Sequence, residues 1–312
     1  MKNYTVDVII PTYKPGKQFH KLMQILTRQD YPIHCIRIMN TEKKYFPKSG
    51  IYENMPGVEI HHLSAEEFNH GGTRDRAAMM SDTDILLFIT QDAMPKDEFL
   101  VSSLVKAFER ESVGAAYARQ LPNDDCKIIE RYTRSFNYGD RSMIKSKEDL
   151  PSMGIKTFFC SNVCAAYRRD LYLALGGFEK HTIFNEDMIM AGKMIQSGRK
   201  IAYVAEAMVY HSHNYGNIMQ FKRNFDLAVS QADHPQIFSM ASSESEGMRM
   251  VKQTAAYLIK IHKPWLIADL VMKSGFKYLG YFFGKRYRKL PKWLVLKCTM
   301  SPNYWTQQQS NR

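Results

Sequence analysis

Residues 86–95 read LLFITQDAMP, and the fold depends on how this stretch is taken. Leu86, Leu87, Phe88 and Ile89 are apolar without alternation, the pattern of a strand covered on both faces. Thr90, Gln91 and Asp92 then turn the chain polar, and Pro95 closes the segment. A lone aspartate at a strand end is ordinary turn chemistry. Whether Asp92 does more depends on what the neighbouring strands carry at the same edge.

Strands and helices alternate to either side of it. TVDVIIPTY (5–13), IHCIRIMN (33–40), VEIHHL (58–63) and VGAAYARQL (113–121) read as strands. GKQFHKLMQILTRQ (16–29), TRDRAAMMSD (73–82) and DEFLVSSLVKAFER (97–110) read as helices. Such alternation implies βαβ units and a mainly parallel sheet, and right-handed crossovers make it open and doubly wound with helices on both faces. Ligands of such sheets lie beyond the carboxyl ends of the strands. Pro11, Thr12 and Tyr13 end the first strand, Asn40 and Thr41 the second, and Gln91 and Asp92 the fourth. Polar strand ends converging on one edge predict a site there.

Residues 122–157 are polar with little periodicity and read as a long excursion over that edge. FFCSNVCAAYRRDLYLALGGF (158–178) runs from a strand into a helix. FNEDMIMAGKMIQSG (184–198) opens a helix with Glu186 and Asp187 in its first turn, where the helix dipole alone would favour acids. KIAYVAEAMVYHSH (200–213) is a strand ending in His211 and His213.

Composition narrows the class. With 312 residues, 45% hydrophobic, the chain can bury a full core. Five scattered cysteines, an odd number, fit a reducing compartment, and the opening residues carry too short an apolar run for a signal peptide; a cytoplasmic protein is expected. The net charge of +12 lies wholly in residues 249–312, with 13 Lys and Arg against Asp269 alone. Aromatics are interleaved there, and Lys285, Arg286, Arg288, Lys289 and Lys292 cluster beside Phe282 and Phe283. That composition suits an anionic membrane surface, with single-stranded nucleic acid as the alternative and a packed helical extension as the structural one. The expected division is a catalytic domain over 1–240 and a basic, aromatic helical extension over 241–312.

Taken in order, VIIPTYKPG, FNHGGTRDRAA, LLFITQDAMP and GGF…FNEDMIMAGKMIQSGRKIAYV…HSH resemble family 2 of the inverting glycosyltransferases over about residues 4–240. HGGTRDRAA with ITQDAMP is similar to bacterial rhamnosyltransferases of cell-wall and O-antigen synthesis. The resemblance implies a GT-A-like fold and a nucleotide-sugar donor, most simply dTDP-rhamnose, with a UDP-hexose as the alternative. It implies a lipid-linked glycan acceptor, a protein peripheral to the inner face of the cell membrane, and no nucleic-acid partner. It assigns Asp187 as base with Glu186 supporting it. Pro11, Thr12, Tyr13, Asn40, Thr41, Gly72, Arg74, Gln91 and Asp92 would face the donor. Asp92 and His211, with His213 in reserve, would hold Mn²⁺ or Mg²⁺. The family's Asp-x-Asp triplet is Thr90-Gln91-Asp92 here, so one expected carboxylate ligand is absent.

Overall fold

The structure, a computed structural model, describes residues 3–240 and 244–310. In its first half β1 (Val6–Tyr13), α1 (Lys17–Leu26), β2 (Cys35–Thr41), β3 (Val58–Leu63), α2 (His70–Met79), β4 (Ile85–Ile89), β5 (Met94–Pro95), α3 (Leu100–Lys106) and β6 (Val113–Leu121) follow one another. Then come α4 (Ile128–Asn137), β7 (Met143–Lys145), α5 (Leu150–Met153), β8 (Cys164–Arg168), α6 (Arg169–Ala174), α7 (Glu186–Gln196) and β9 (Lys200–Tyr210). The chain continues as α8 (Asn217–Asp233), α9 (Pro235–Phe238), α10 (Glu244–Lys260), α11 (Leu266–Lys285), α12 (Lys292–Cys298) and α13 (Pro302–Ser310).

One sheet runs β3-β2-β1-β4-β8-β6-β9-β5, with β7 also on β9. β3, β2, β1 and β4 are parallel, in register Thr12 to Asn40 and Asn40 to His62. The apolar run that opened the sequence is buried on both faces. Leu87 and Ile89 join the core with Val8, Ile10 and α1, while Leu86 and Phe88 join Ile9, Tyr167 and Tyr172 on the other side. The parallel arrangement expected of the whole sheet describes this half; the other half is mixed, because β8 is antiparallel to both β4 and β6. After β6 the chain leaves the ligand edge to pair β7 with the amino end of β9, Lys145 opposite Ile201, then returns, so that β8 starts beside the end of β4, Cys164 opposite Ile89, and runs back. That excursion is not bare loop: it carries α4, β7 and α5, short elements fixed by tertiary bonds. Lys145, fully buried, donates from Nζ to the carbonyls of Lys156 (3.0 Å) and Phe159.

The basic extension packs on the sheet-bearing part. α11 lies against α8 at backbone contact: a Cβ on Gly280 would sit 2.1 Å from the Phe221 carbonyl oxygen, and one on Gly284 2.3 Å from that of Phe225. Past α12, Thr299 Oγ1 and Met300 N donate to the buried Asp226 carboxylate at 2.7 and 2.9 Å. Tyr257 of α10 stacks on Tyr132 of α4 at 4.4 Å. The expected boundary after residue 240 falls at 241–243, outside the described residues. No helix among the described residues is long and apolar enough to cross a membrane.

Candidate active site

Three groups of side chains meet at the carboxyl edge of the strands. The first is built on β1, β2, β3 and the turn after β4. Thr12 Oγ1 donates to Asn40 Oδ1 (3.1 Å), and Asn40 Nδ2 reaches His62 Nδ1 (3.0 Å). Gln91 clasps the backbone of Tyr13 twice, Tyr13 N to Gln91 Oε1 and Gln91 Nε2 to Tyr13 O, both at 3.0 Å. Thr41 is buried and Pro11 half-buried within the same ends. The Tyr13 ring is 48% exposed, edge-on to Tyr45 at 5.7 Å with Lys14 Nζ 5.1 Å from its centroid, and offers surface on which a planar ligand could stack. His62 and Tyr45 were not singled out in the sequence, although VEIHHL ends at this edge as the other strands do.

The second group gathers around Asp92. His211 Nε2 and His213 Nε2 lie 3.6 and 3.4 Å from Asp92 Oδ2, and 3.1 Å from each other. One ligand atom from each of the three lies within 4.8 Å of the others. His211 Nδ1 contacts Gln120 Oε1 at 3.0 Å. An amide oxygen can only accept, so Nδ1 donates to it and Nε2 faces the cluster. Burial pushes His213 down to about 4, aided by His211, leaving that ring neutral. Burial would raise Asp92, but attraction to His211 outweighs it and holds the carboxyl below the usual carboxylate range. A carboxylate oxygen and two imidazole nitrogens fit a divalent cation, and the mixed N/O set suits Mn²⁺ better than Mg²⁺.

The third group is the acid pair at the start of α7. Asp187 Oδ2 accepts from Asn162 N (3.0 Å) and Oδ1 from Met188 N (2.8 Å). Glu186 Oε1 meets Arg74 Nη1 at 3.2 Å and Asn162 Nδ2 at 3.3 Å. Asn162 Oδ1 in turn accepts from the buried Tyr167 hydroxyl (2.9 Å). The two acids therefore titrate apart. Burial opposes charge on Glu186, but the Arg74 guanidinium overrides it and keeps Glu186 ionised. Asp187 is pushed up to about 7, by burial first and by the Glu186 charge second. Gln120 ties the groups together, since its Nε2 donates to Ser161 Oγ (3.0 Å), one residue before Asn162.

Arg74 and Gly72 are both bonded within the protein. Arg74 is buried, bound to Glu186 and to the His70 carbonyl (2.9 Å), at the acid pair rather than at the Asp92 cluster. Gly72 N donates to Asn69 Oδ1 (2.9 Å), the helix cap, so its N–H is already used. Asn162 and Gln120 escaped the sequence reading, because amides inside FFCSNVC and at the tip of a strand carry no spacing signal.

Comparison with known proteins gives consistent matches. The pattern of Glycosyl transferase family 2 matches residues 7–176. The chain is 38% identical over 303 residues to the O-antigen chain rhamnosyltransferase RfbN of Salmonella typhimurium, covering 96% of each. It is 39% identical over 311 residues to the O-antigen chain rhamnosyltransferase WbaN of Salmonella anatum, covering 98% of this chain and 96% of that one. Among solved structures, the mannosyltransferase PcManGT from Pyrobaculum calidifontis, in complex with GDP-Man and Mn²⁺, superposes with a TM-score of 0.60 over 93% of this chain and 89% of that one. At 14% identity that is a likeness of fold.

Proposed function

The chain belongs to glycosyl transferase family 2, and from that premise we propose that it transfers L-rhamnose from dTDP-rhamnose to a lipid-linked cell-surface polysaccharide, inverting the anomeric carbon. One observation carries the chemical reading: a carboxyl with a pKa near neutrality and a three-ligand cation cluster share one edge of the sheet. Asp187 accepts the proton of the acceptor hydroxyl, and a base is most effective when its pKa lies near the working pH. Glu186 stays ionised, raises Asp187 by its charge and is fixed by Arg74 and Asn162. The donor nucleoside lies against Thr12, Tyr13, Asn40 and Gln91, with Tyr13 under the base. Asp92, His211 and His213 would hold Mn²⁺ or Mg²⁺, which when bound neutralises the departing diphosphate. From a β-linked donor, inversion gives an α-linked rhamnoside. The rhamnose assignment is supported by the two relatives, both O-antigen chain rhamnosyltransferases.

We place the protein at the inner face of the cell membrane, where a lipid-linked acceptor would be met. The outward face of α11 supports this, with Val271, Met272, Tyr278, Leu279 and Phe282 exposed along it and Arg286 and Lys289 just beyond its end. The deciding experiment offers dTDP-rhamnose, UDP-glucose, UDP-N-acetylglucosamine and GDP-mannose with a detergent-dispersed lipid-linked glycan, and follows nucleotide release and product linkage. Release of dTDP and an α-rhamnosyl product are expected. Preferential turnover of a UDP-hexose would replace the rhamnosyl assignment while leaving the fold and the base in place.

A further inference from the structure

Two cations at the ligand edge have no anion bonded to them among the described residues. Arg223 of α8 is half-buried, its guanidinium over the rings of Phe184 (4.7 Å) and Tyr215 (5.9 Å). Tyr215 is stacked on His213 at 5.0 Å, and Phe184 is two residues before Glu186. Arg223 therefore stands between the Asp92 cluster and the acid pair. Lys277 of α11 is also half-buried and lines a small pocket with Lys273, Glu130, Gln220, His213 and Tyr215. Neither Arg223 nor Lys277 makes a hydrogen bond or ion pair among the described residues. The nearby acids are engaged elsewhere: Glu130 with Arg134 at 2.9 Å and Asp269 with Lys273 at 2.6 Å. Burial works against both charges; Glu130 attracts each without bonding it and Asp187 attracts Arg223, while Arg134 repels both and Arg223 repels Lys277.

Removing a cation from water without a counter-ion is costly, so buried charges are normally paired. Two such cations beside a cation cluster are explained if the counter-ion arrives with a ligand. Arg74 and Arg134, also near this edge, already belong to Glu186 and Glu130. We propose that Arg223 and Lys277 form a diphosphate subsite that grips the donor's diphosphate and takes up its charge as it leaves. The proposal rests on the transferase reading above. In that reaction the bond from the anomeric carbon to the diphosphate oxygen breaks, and its electron pair stays on the diphosphate. The acceptor oxygen bonds to the anomeric carbon and its proton passes to Asp187. Planar, fork-shaped Arg223 offers paired donors to phosphate oxygens, and Lys277 adds a point charge. The basic extension then supplies part of the active site.

The test is calorimetric titration of the full chain, with Mn²⁺ present, by dTDP, inorganic pyrophosphate and thymidine, in the wild type and in R223Q, R223K and K277Q. Each glutamine variant should weaken dTDP and pyrophosphate by roughly tenfold or more, as loss of a charge-assisted contact implies. Thymidine should bind all four proteins alike, and R223K should recover part of the loss. A merely structural role would lower thymidine binding and the melting temperature along with dTDP. Folded glutamine variants that bind dTDP as the wild type does overturn the subsite alone, as does a change confined to the KM for the lipid-linked acceptor. If the wild type binds no nucleoside diphosphate, whether dTDP, UDP or GDP, the transferase reading fails and the subsite with it.

Discussion

Asn162 holds Asp187 by its backbone N–H, 3.0 Å from Oδ2, leaving its own side chain to Glu186. A base fixed by a backbone donor keeps its place whatever the side chain there. Asp187→Asn preserves the shape but cannot take a proton, so transfer should fall by about 10³-fold while donor affinity stays within about twofold. Single-turnover rates and calorimetry measure the two separately, and turnover within about tenfold of wild type would remove Asp187 from the role.

The elevated pKa gives a pH profile of known sign. Asp187 acts as its carboxylate, so kcat should climb about tenfold per pH unit below about 7 and level off above it. Stability moves the other way. The unfolded chain ionises this group near 3.8 and the folded protein near 7, so folding takes up a proton between them and this contribution to stability falls as pH rises through that window. Asp187→Asn, whose amide can accept only one of the two backbone N–H bonds, carries a pH-independent cost, but its melting temperature relative to wild type should be higher at pH 8 than at pH 3.5. Thermal scans at the two values decide it.

The Asp92 cluster predicts a specific metal dependence. Chelation should abolish wild-type transfer and Mn²⁺ should restore it better than Mg²⁺. His213→Ala should raise the Mn²⁺ concentration needed for half-activity by about 10-fold or more, and Asp92→Ala should eliminate the response to metal. A wild-type rate indifferent to chelation would return Asp92 to turn chemistry.

Much of this edge was legible in the sequence, for a physical reason. Strands buried on both faces advertise themselves as apolar runs, and the polar residues that stop them, Thr12, Asn40 and Asp92, mark where the sheet meets water. Direction is not advertised. Nothing in CAAYR distinguishes an antiparallel strand from a parallel one, so β8 and the mixed half of the sheet came only with the structure. Charge is legible but its partner is not: Arg74 beside HGGT looks like a phosphate contact until Glu186, 112 positions on, is seen to claim it. Asn162 and Gln120 act through single hydrogen bonds set by tertiary position, which no local pattern records.

The contact between α8 and α11 makes the extension sensitive to small changes. Gly284→Leu places side-chain atoms where the Phe225 carbonyl oxygen would lie 2.3 Å from the first carbon, and the helices must separate. We expect a loss of about 3 kcal/mol or more and a clearly lower melting midpoint, because two backbones cannot shift as a flexible side chain would. Gly275→Leu, with nothing within 4 Å of the added carbon, is the control and should melt within about 2 °C of wild type.

Membrane attachment is best tested by charge reversal on the surface, because truncation after residue 284 would strip the partners from buried Asp226. The combined change Arg286→Glu, Lys289→Glu and Lys292→Glu should release the protein from anionic vesicles, each lost cation removing about 1 kcal/mol of attraction, while nucleotide release from the donor persists. Wild-type attachment should weaken steeply with added salt. Undiminished sedimentation of the triple variant with anionic lipid would place the attachment elsewhere.

The shared seam of α8 and α11 also constrains how such enzymes can be recombined. A chimera that exchanges C-terminal portions between related transferases at residue 240 would pair one parent's Phe221 and Phe225 carbonyls with the other parent's glycine positions, and one parent's Arg223 with a foreign Lys277. A crossover before Asn217 carries α8 and α11 together as one cassette, and there the exchange should yield folded protein.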